Sequence, residues 1–498
     1  MAAGKTGSMD EQTFRPLYRE IPYERPDALF PLLRARNSIL FESVKGSEQT
    51  GRYSFIGFDP YLVLTVKDGL VEVESGGRKT LSTRKPLQRL RELLLAYRQE
   101  PVEDLPPFQG GAAGMLTYDF VHYLERLPKN AVDDLALPEA HFFMIDRLVA
   151  FDHKEEKSWV VVCPGVRNTR LGYSEIYADH EFCVKEAEET LEQIVDRIRR
   201  GDASQPGKTV SGSGLPRPEV NVRHDVAKGR YEEMVRKAKD YIAAGDIFQA
   251  NLSLRVSAEV GGIEPWDLYT TLREVNPSPF SSFIDFGDYQ IVSSSPERLV
   301  RVRDGVIDTR PIAGTRPRGR DSREDDAMRA ELLLNEKERA EHIMLIDLER
   351  NDIGRVSDYG SVLVDELMVT EDYSHVMHIV SNVRGRLAEG KDCFDVIKAT
   401  FPGGTITGVP KVRCMEIIDE IEPFRRGPYT GSLGYIGFNG NMDLNIIIRT
   451  FLVKDGMAYI QAGAGIVADS DPEREYYESL KKAEALIRTL ERMQRGLR

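Results

Sequence analysis

Between residues 18 and 165 the chain alternates short apolar runs with turn-forming residues. YSFIGF (53–58), YLVLTV (61–66), RLVAFD (147–152) and SWVVVC (158–163) carry the β-branched and aromatic residues of strands. The period changes at 183–200, CVKEAEETLEQIVDRIRR, where helical spacing with one charged face predicts an amphipathic helix. Over 201–222, GDASQPGKTVSGSGLPRPEVNV, large apolar residues give way to Gly, Ser and Pro, which predicts a linker. Beyond it, 231–256 reads as a helix, a Gly-Asp turn and a strand. Strand patterns follow in FSSFIDF, YQIVSSS, RLVRVR and VIDTRPI, then helices over 321–351 and 408–421. A hairpin-like pair over 432–467 turns at Asn439-Gly440-Asn441, and a terminal helix spans 471–496. Strands cluster and helices intersperse without a strict βαβ rhythm, so the pattern predicts an α+β fold with large antiparallel sheets. The expected organisation is an N-terminal domain over 15–200, the linker over 201–222, and a second domain over 223–498.

Composition narrows the classes of function. The 498 residues, 41% hydrophobic and 30% charged, are globular in balance, and no apolar run is long enough for a membrane span. The first residues, MAAGKTGSMDEQTF, lack the apolar core of a signal peptide. A net charge of −13 argues against nucleic acid as the main partner, though not against a small anion in a local basic pocket. The four cysteines, Cys163, Cys183, Cys393 and Cys414, form no CxxC pair and none sits in a Gly-flanked elbow. A disulfide framework, a structural zinc and a nucleophilic cysteine are therefore poor readings, and the cytoplasm is the expected compartment.

Several segments carry candidate chemistry. In FPGGTITGVPKVR (401–413), Gly403, Gly404, Thr405, Thr407 and Gly408 precede a helix, with Lys411 and Arg413 at its start. Such a terminus can hold an anion; the plainer reading is a capped helix with Pro near its first turn, and no Walker motif is present. In ERAEHIMLIDLERND (338–352), Glu338 and Glu341 share a helix face, as do Glu475, Glu478 and Lys482 in EREYYESLKKAEA. Either helix alone could be simply solvated. Converging on one pocket, the two glutamate pairs would repel unless a hard divalent cation, Mg²⁺ by preference, sat between them. SHVMH (374–378) offers His375 and His378, one of them a candidate general acid or base. TRPIAGTRPRGR (309–320) sets Gly314 and Thr315 among arginines suited to a carboxylate, and QAGAGIVADS (461–470) alternates Gly and Ala so that backbone can approach a ligand. Together these suggest a Mg²⁺ site flanked by anion-holding loops, fit for a small metabolite with carboxylates.

The same segments, in this order, resemble the chorismate-utilising enzymes, of which the aminodeoxychorismate synthase and anthranilate synthase component I proteins are two branches. The likeness is strong over 222–498 and extends to LFESVKG…GRYSFIG (40–57) and FQGGAAGMLTYDF (108–120). It implies two large antiparallel β-sheets packed as a sandwich with flanking helices, and chorismate bound with Mg²⁺. It implies Glu341 and Glu478 as direct metal ligands, with Glu475 and Glu338 supporting them. His378 corresponds to the family's acid/base histidine, the expected proton donor to the departing hydroxyl. Gly314, Thr315, Thr405, Tyr429, Arg449, Gly463, Ala464, Gly465 and Lys482 align with residues that hold chorismate. Nothing resembles a glutaminase, so the resemblance implies a separate glutamine amidotransferase subunit as ammonia donor. The family's tryptophan pocket maps to Ser43, Pro279, Phe280 and Ser281, with Ser281 in place of the usual Met.

Signals for the product diverge. Ala313 in PIAGT stands where many aminodeoxychorismate synthases carry a lysine that attacks the ring, which resembles the anthranilate branch. DIFQANLSLR (246–255), FPGGTITG and MDLNIIIRT (442–450) resemble the aminodeoxychorismate branch, and the balance favours it. Isochorismate-forming relatives use a lysine base where Gln249 stands. A catalytically silent chorismate-binding subunit is the alternative from another class, though every Glu and His position is intact.

Overall fold

The computed structural model describes residues 13–46, 50–168, 179–201, 221–372 and 376–495. Residues 202–220, most of the expected linker, and His375 lie outside the described residues. Two 12-stranded sheets organise the fold, and every named ladder in them is antiparallel. The first runs Leu17–Ile21, Lys157–Val162, Arg147–Asp152, Tyr53–Gly57, Ser38–Glu42, Phe280–Asp285, Tyr289–Ser295, Thr450–Lys454, Met457–Ile466, Gln249–Glu259, Val222–His224, and its twelfth strand, Gly408–Val409, pairs with Gln249–Glu259 off this path. The second runs Ile312–Pro317, Val376–Arg386, Val306–Thr309, Arg298–Arg303, Met442–Ile446, Ser432–Gly437, Gly111–Leu116, Ala140–Ile145, Leu62–Lys67, Leu70–Ser75, Arg78–Ser82, and its twelfth strand, Leu363–Asp372, pairs with Val376–Arg386 off this path. Strands from both sides of the 201–222 stretch therefore share each sheet.

The sheets face one another across a core that holds Ile39, Phe55, Ile284 and Ile291 from the first and Ala113, Met115, Phe143 and Leu433 from the second. Phe55 meets Tyr435 edge-on at 5.3 Å between ring centroids, and Phe108 stacks on Tyr435 at 4.7 Å. Alternate residues such as Leu40 and Ile56 point the other way, into a second core shared with the helices, which include Lys228–Ala243, Pro265–Val275 and Pro472–Arg495. Central strands are thus buried on both faces, which explains their near-continuous apolar runs, whereas the edge strand Arg78–Ser82 is largely exposed.

Three local readings change. The stretch 321–351 forms two helices, Ser322–Leu334 and Glu336–Gly354. Asn335 separates them: its side chain accepts from the Glu338 N–H at 3.0 Å and caps the second. The 432–467 segment is two hairpins, one in each sheet. Asn439-Gly440-Asn441 turns the first and Asp455-Gly456, both left-handed, turns the second. Residues 447–449 carry the chain between sheets, with Arg449 at φ +53°. Before the helix Lys411–Ile421, Gly408 and Val409 add a short strand to Ala250 and Gln249. A Cβ on Gly408, at φ +136°, would lie 2.2 Å from the Gln249 carbonyl oxygen, so only glycine fits.

Candidate active site

The chain passes between the sheets twice in the same neighbourhood. Residues 296–297 lead from Tyr289–Ser295 in one sheet to Arg298–Arg303 in the other, and 447–449 lead back. The Ile446 N–H donates to the Glu297 carbonyl at 3.0 Å and ties the two passages together.

Glu297 stands at this crossing, 7% exposed. Burial raises its pKa to about 7, against the opposing pull of the Thr405 hydroxyl, Arg449 and Lys482. Thr405 lies on the single 3₁₀ turn Gly404–Ile406, whose close approach to the helix Glu336–Gly354 depends on Gly404: a Cβ there would sit 1.9 Å from Leu348. Glu297 Oε1 and Thr405 Oγ1 are both buried without a well-aligned hydrogen bond. Arg449 is desolvated, which pulls its pKa down, and the charges of Tyr429 and Glu297 oppose that pull.

The Gly463–Gly465 segment joins this group through Lys482. Lys482 Nζ donates to the Gly463 carbonyl at 3.0 Å. A Cβ on Gly463 would lie 2.4 Å from the Leu252 carbonyl and 2.9 Å from the Tyr429 hydroxyl; one on Gly465 would lie 2.3 Å from Gln249 Nε2. Ala464 between them is fully buried and pairs with Leu252. Gln249 Oε1 and Asn251 Oδ1, on the facing strand, are buried without partners. Buried polar atoms are usually paired, so this concentration of unpaired ones marks a place built for a polar ligand.

A second group adjoins the first. Gly314, at φ +61°, places its carbonyl 3.2 Å from His378 Nδ1. A carbonyl only accepts, so Nδ1 carries the proton and Nε2 the lone pair. Burial lowers the His378 pKa to about 4, helped by the Arg449 charge, so the ring is neutral at pH 7. A Cβ on Gly314 would lie 2.9 Å from Glu338 Oε2, whose other oxygen meets Arg316 at 3.3 Å. Thr315 pairs with His378 in the ladder.

Other expectations fare differently. Lys411 Nζ is taken up by Asp352 and the Thr400 carbonyl, and Arg413 by Asp246 and Glu416, so neither reaches toward Thr405. Helix Lys411–Ile421 starts at Pro410 without a side-chain cap. Glu478 is 55% exposed and pairs with Lys482 at 3.0 Å. Among the described residues no three His, Cys, Asp or Glu side chains are grouped to hold a metal ion, so Glu338, Glu341, Glu475 and Glu478 do not converge as one cluster. Their chemistry nonetheless suits Mg²⁺, which needs only one or two protein carboxylates when substrate and water complete its shell. Ser43, Pro279, Phe280 and Ser281 do come together, lining a cavity of about 280 Å³ with Tyr53 and Arg298. The Ser43 hydroxyl faces the carbonyls of Tyr53 at 2.9 Å and Pro279 at 3.1 Å.

Sequence reasoning missed Glu297. Its one local signal is a lone carboxylate within the run Ile291–Val300, otherwise apolar or small but for Arg298.

A family model described as chorismate binding enzyme matches residues 36–488. The chain is 42% identical over 481 residues to aminodeoxychorismate synthase component 1 of Bacillus subtilis (strain 168), covering 96% of this chain and 97% of that protein. It is 43% identical over 477 residues to anthranilate synthase component 1 of Acetivibrio thermocellus, covering 94% and 93%. The crystal structure of anthranilate synthase component I from Streptococcus pneumoniae TIGR4 superposes with a TM-score of 0.75 at 37% identity, covering 89% of this chain and 95% of that one. The menaquinone-specific isochorismate synthase of Escherichia coli shares the fold, with a TM-score of 0.68 at 17% identity over 96% of this chain and 95% of that one. With its match running through both sheets and nearly the whole chain, this protein belongs to the chorismate-binding enzymes.

Proposed function

We propose that this chain aminates chorismate with ammonia supplied by a separate glutamine amidotransferase subunit, and that its product is 4-amino-4-deoxychorismate. The observation that carries this reading is the buried Glu297 carboxyl at the sheet crossing, set among Thr405, Arg449 and Lys482.

Chorismate brings two carboxylates and a ring hydroxyl. Arg449 presents a planar fork suited to one carboxylate, and Lys482 adds a point charge. Gly463 and Gly465 let the strand backbone approach the ring, with the Tyr429 hydroxyl beside them. Gly314 and Thr315 border the other side, next to His378. Glu341 and Glu478 would hold Mg²⁺ together with substrate and water, and the ion would neutralise a substrate carboxylate. Glu297, with a pKa near neutrality, can hand a proton to the departing hydroxyl, which leaves as water. The nitrogen that has joined the ring then carries a surplus proton, which neutral His378 would accept. This assigns the donor role, which the sequence resemblance gave to His378, to Glu297.

Ammonia must arrive from elsewhere, because all four cysteines are buried and burial pushes the Cys163 thiol well up. The "component 1" in the relatives' names supports a partner subunit.

Ala313 favours a second reading, anthranilate plus pyruvate, since it offers no amine for a lysine adduct. Chorismate, Mg²⁺ and an ammonium salt at alkaline pH separate the two. 4-Aminobenzoate formed only when aminodeoxychorismate lyase is added supports the first; anthranilate fluorescence without it supports the second; consumption of no chorismate rejects both.

A further inference from the structure

Arg426, which follows the helix Lys411–Ile421, is 3% exposed. All five of its guanidinium N–H groups are engaged. Nε donates to Glu422 Oε2 at 2.9 Å and Nη2 to Glu422 Oε1 at 2.7 Å, the two-pronged pairing of an arginine with a carboxylate. The other three N–H groups reach outward. Nη2 donates to the Asn251 carbonyl at 2.6 Å, and Nη1 to the Ile406 carbonyl at 3.0 Å and the Thr430 hydroxyl at 3.3 Å. Each acceptor belongs to a different segment of the candidate site. Ile406 ends the 3₁₀ turn that carries Thr405. Asn251 pairs with Gly465 in the ladder. Thr430 follows Tyr429, whose ring centre lies 5.7 Å from the guanidinium.

The same segments are tied to one another. The Asn251 N–H donates to the Thr407 carbonyl at 2.9 Å, and the Thr430 N–H to the Ile447 carbonyl at 2.8 Å, at the start of the crossing that carries Arg449. Glu422 Oε1 also accepts from the N–H and the hydroxyl of Ser253, at 2.8 and 2.9 Å, opposite Gly463. Thr430 is β-branched yet left-handed, at φ +61°, a conformation that persists only where its surroundings impose it. Stability alone does not explain a buried ion pair here, because apolar residues of similar volume are usually at least as stabilising at such depth. Its geometry does: one rigid plane fixes three segments that are far apart in sequence.

We propose that Arg426, held by Glu422, is a positioning residue that fixes Thr405, Asn251 and Tyr429 relative to one another, so that the substrate site is assembled before substrate arrives. The proposal rests on the reading of this site as the place of chorismate turnover. Arg426 acts through the three segments rather than on the substrate. Lysine at 426 would keep the charge and a contact with Glu422. Its single nitrogen on a flexible stem cannot hold acceptors on several sides in one plane. A segment released in this way can shift, and a misplacement of about 1 Å costs on the order of a hundredfold in rate.

Arg426→Lys in the full chain tests this, with chorismate consumption in ammonium chloride and Mg²⁺ as the readout, so that either product counts. In the folded variant kcat is expected to fall about a hundredfold and the chorismate KM to rise. Arg255→Lys is the control for lost stability. Arg255 is comparably buried on the strand that carries Asn251 and is paired with Asp134 and Asp225, away from the three segments. Its variant should melt at a lower temperature and keep the parent's kcat and KM. Should Arg426→Lys fail to fold, Glu422→Gln, which weakens the grip on the guanidinium, must show the loss of kcat instead. Amide hydrogen exchange in the free protein needs no turnover. In Arg426→Lys, residues 249–253, 404–407 and 429–431 should exchange faster together, by about tenfold or more, while the strand Leu62–Lys67 keeps the parent's rate. That result beside an unsubstituted protein that consumes no chorismate would reject the proposed function and still support the positioning role. Unchanged exchange in the three segments, a folded Arg426→Lys with the parent's kcat and KM, or an equal loss of kcat in Arg255→Lys overturns it.

Discussion

A Cβ added to Gly463 would sit 2.9 Å from the Tyr429 hydroxyl and 2.4 Å from the Leu252 carbonyl. The strand is bare at this point because the Leu252 carbonyl and the Tyr429 hydroxyl take the space a side chain would need. Gly463→Ala is therefore expected to lower stability by about 1–3 kcal/mol, as overpacking does, and to weaken chorismate binding at least tenfold. Thermal denaturation and calorimetric titration check the two effects separately.

Glu297 ties function to pH. Its pKa is near 7 in the folded protein and about 4.3 in an unfolded chain. Below the unfolded value the group is protonated in both states and costs nothing. As pH rises through that window the folded state loses stability, in full above pH 7. Glu297→Gln should therefore be more stable than the unsubstituted protein at pH 8, by up to about 3 kcal/mol, and nearly unchanged at pH 4. The same variant should lose chorismate turnover by at least a hundredfold. Denaturant melts at both pH values, beside a rate measurement, decide it.

His378 is predicted to matter without titrating in the working range, since burial holds it neutral above about pH 4. His378→Ala should cut the rate by about 10²–10⁴ with less than threefold change in chorismate affinity. The pH–rate profile between 6 and 8 should keep its shape in the residual activity. A wild-type rate would remove His378 from the mechanism.

Glu341→Gln and Glu478→Gln should each abolish Mg²⁺-dependent turnover while circular dichroism and the melting temperature stay close to those of the parent. In Glu478→Gln the ion pair with Lys482 is also lost, but the glutamate is exposed and that pair contributes little to stability. Activity that persists in either variant would withdraw that residue as a ligand.

The cavity at Ser43, Pro279, Phe280 and Ser281 is expected to take tryptophan. Arg298, ion-paired with Asp443, lies over the Phe280 ring at 5.2 Å, and Phe280 with Tyr53 and Tyr435 gives the pocket an aromatic lining. Tryptophan should raise the melting temperature and alanine should not; Phe280→Ala should erase the difference.

The strands were legible because burial on both faces writes long apolar runs, and the Asn439-Gly440 turn announced its hairpin. What the pattern could not convey was that adjoining hairpins belong to different sheets. Only Arg449, an arginine in a left-handed conformation, marks that switch, and nothing local predicts it. The same holds for the site. Gly463, Gly465 and Thr405 stood out through local composition, whereas Glu297 has no charged partner nearby in sequence that explains it. Its neighbours Thr405, Arg449 and Lys482 are more than a hundred residues away and meet it only through the sheet crossing. Lys411 misled for the converse reason: its position before a helix suggested an anion site, but Asp352 from a distant helix claims it.

The most direct test of the account is to supply ¹⁵N-ammonium and chorismate to the purified protein with Mg²⁺ and locate the label by NMR. The account predicts ¹⁵N bonded to the ring carbon that bore the hydroxyl, with the enolpyruvyl group retained. Label at the neighbouring position of an aromatic ring would move the chain to anthranilate formation. Chorismate recovered unlabelled and unchanged would contradict the central claim that this site performs amination.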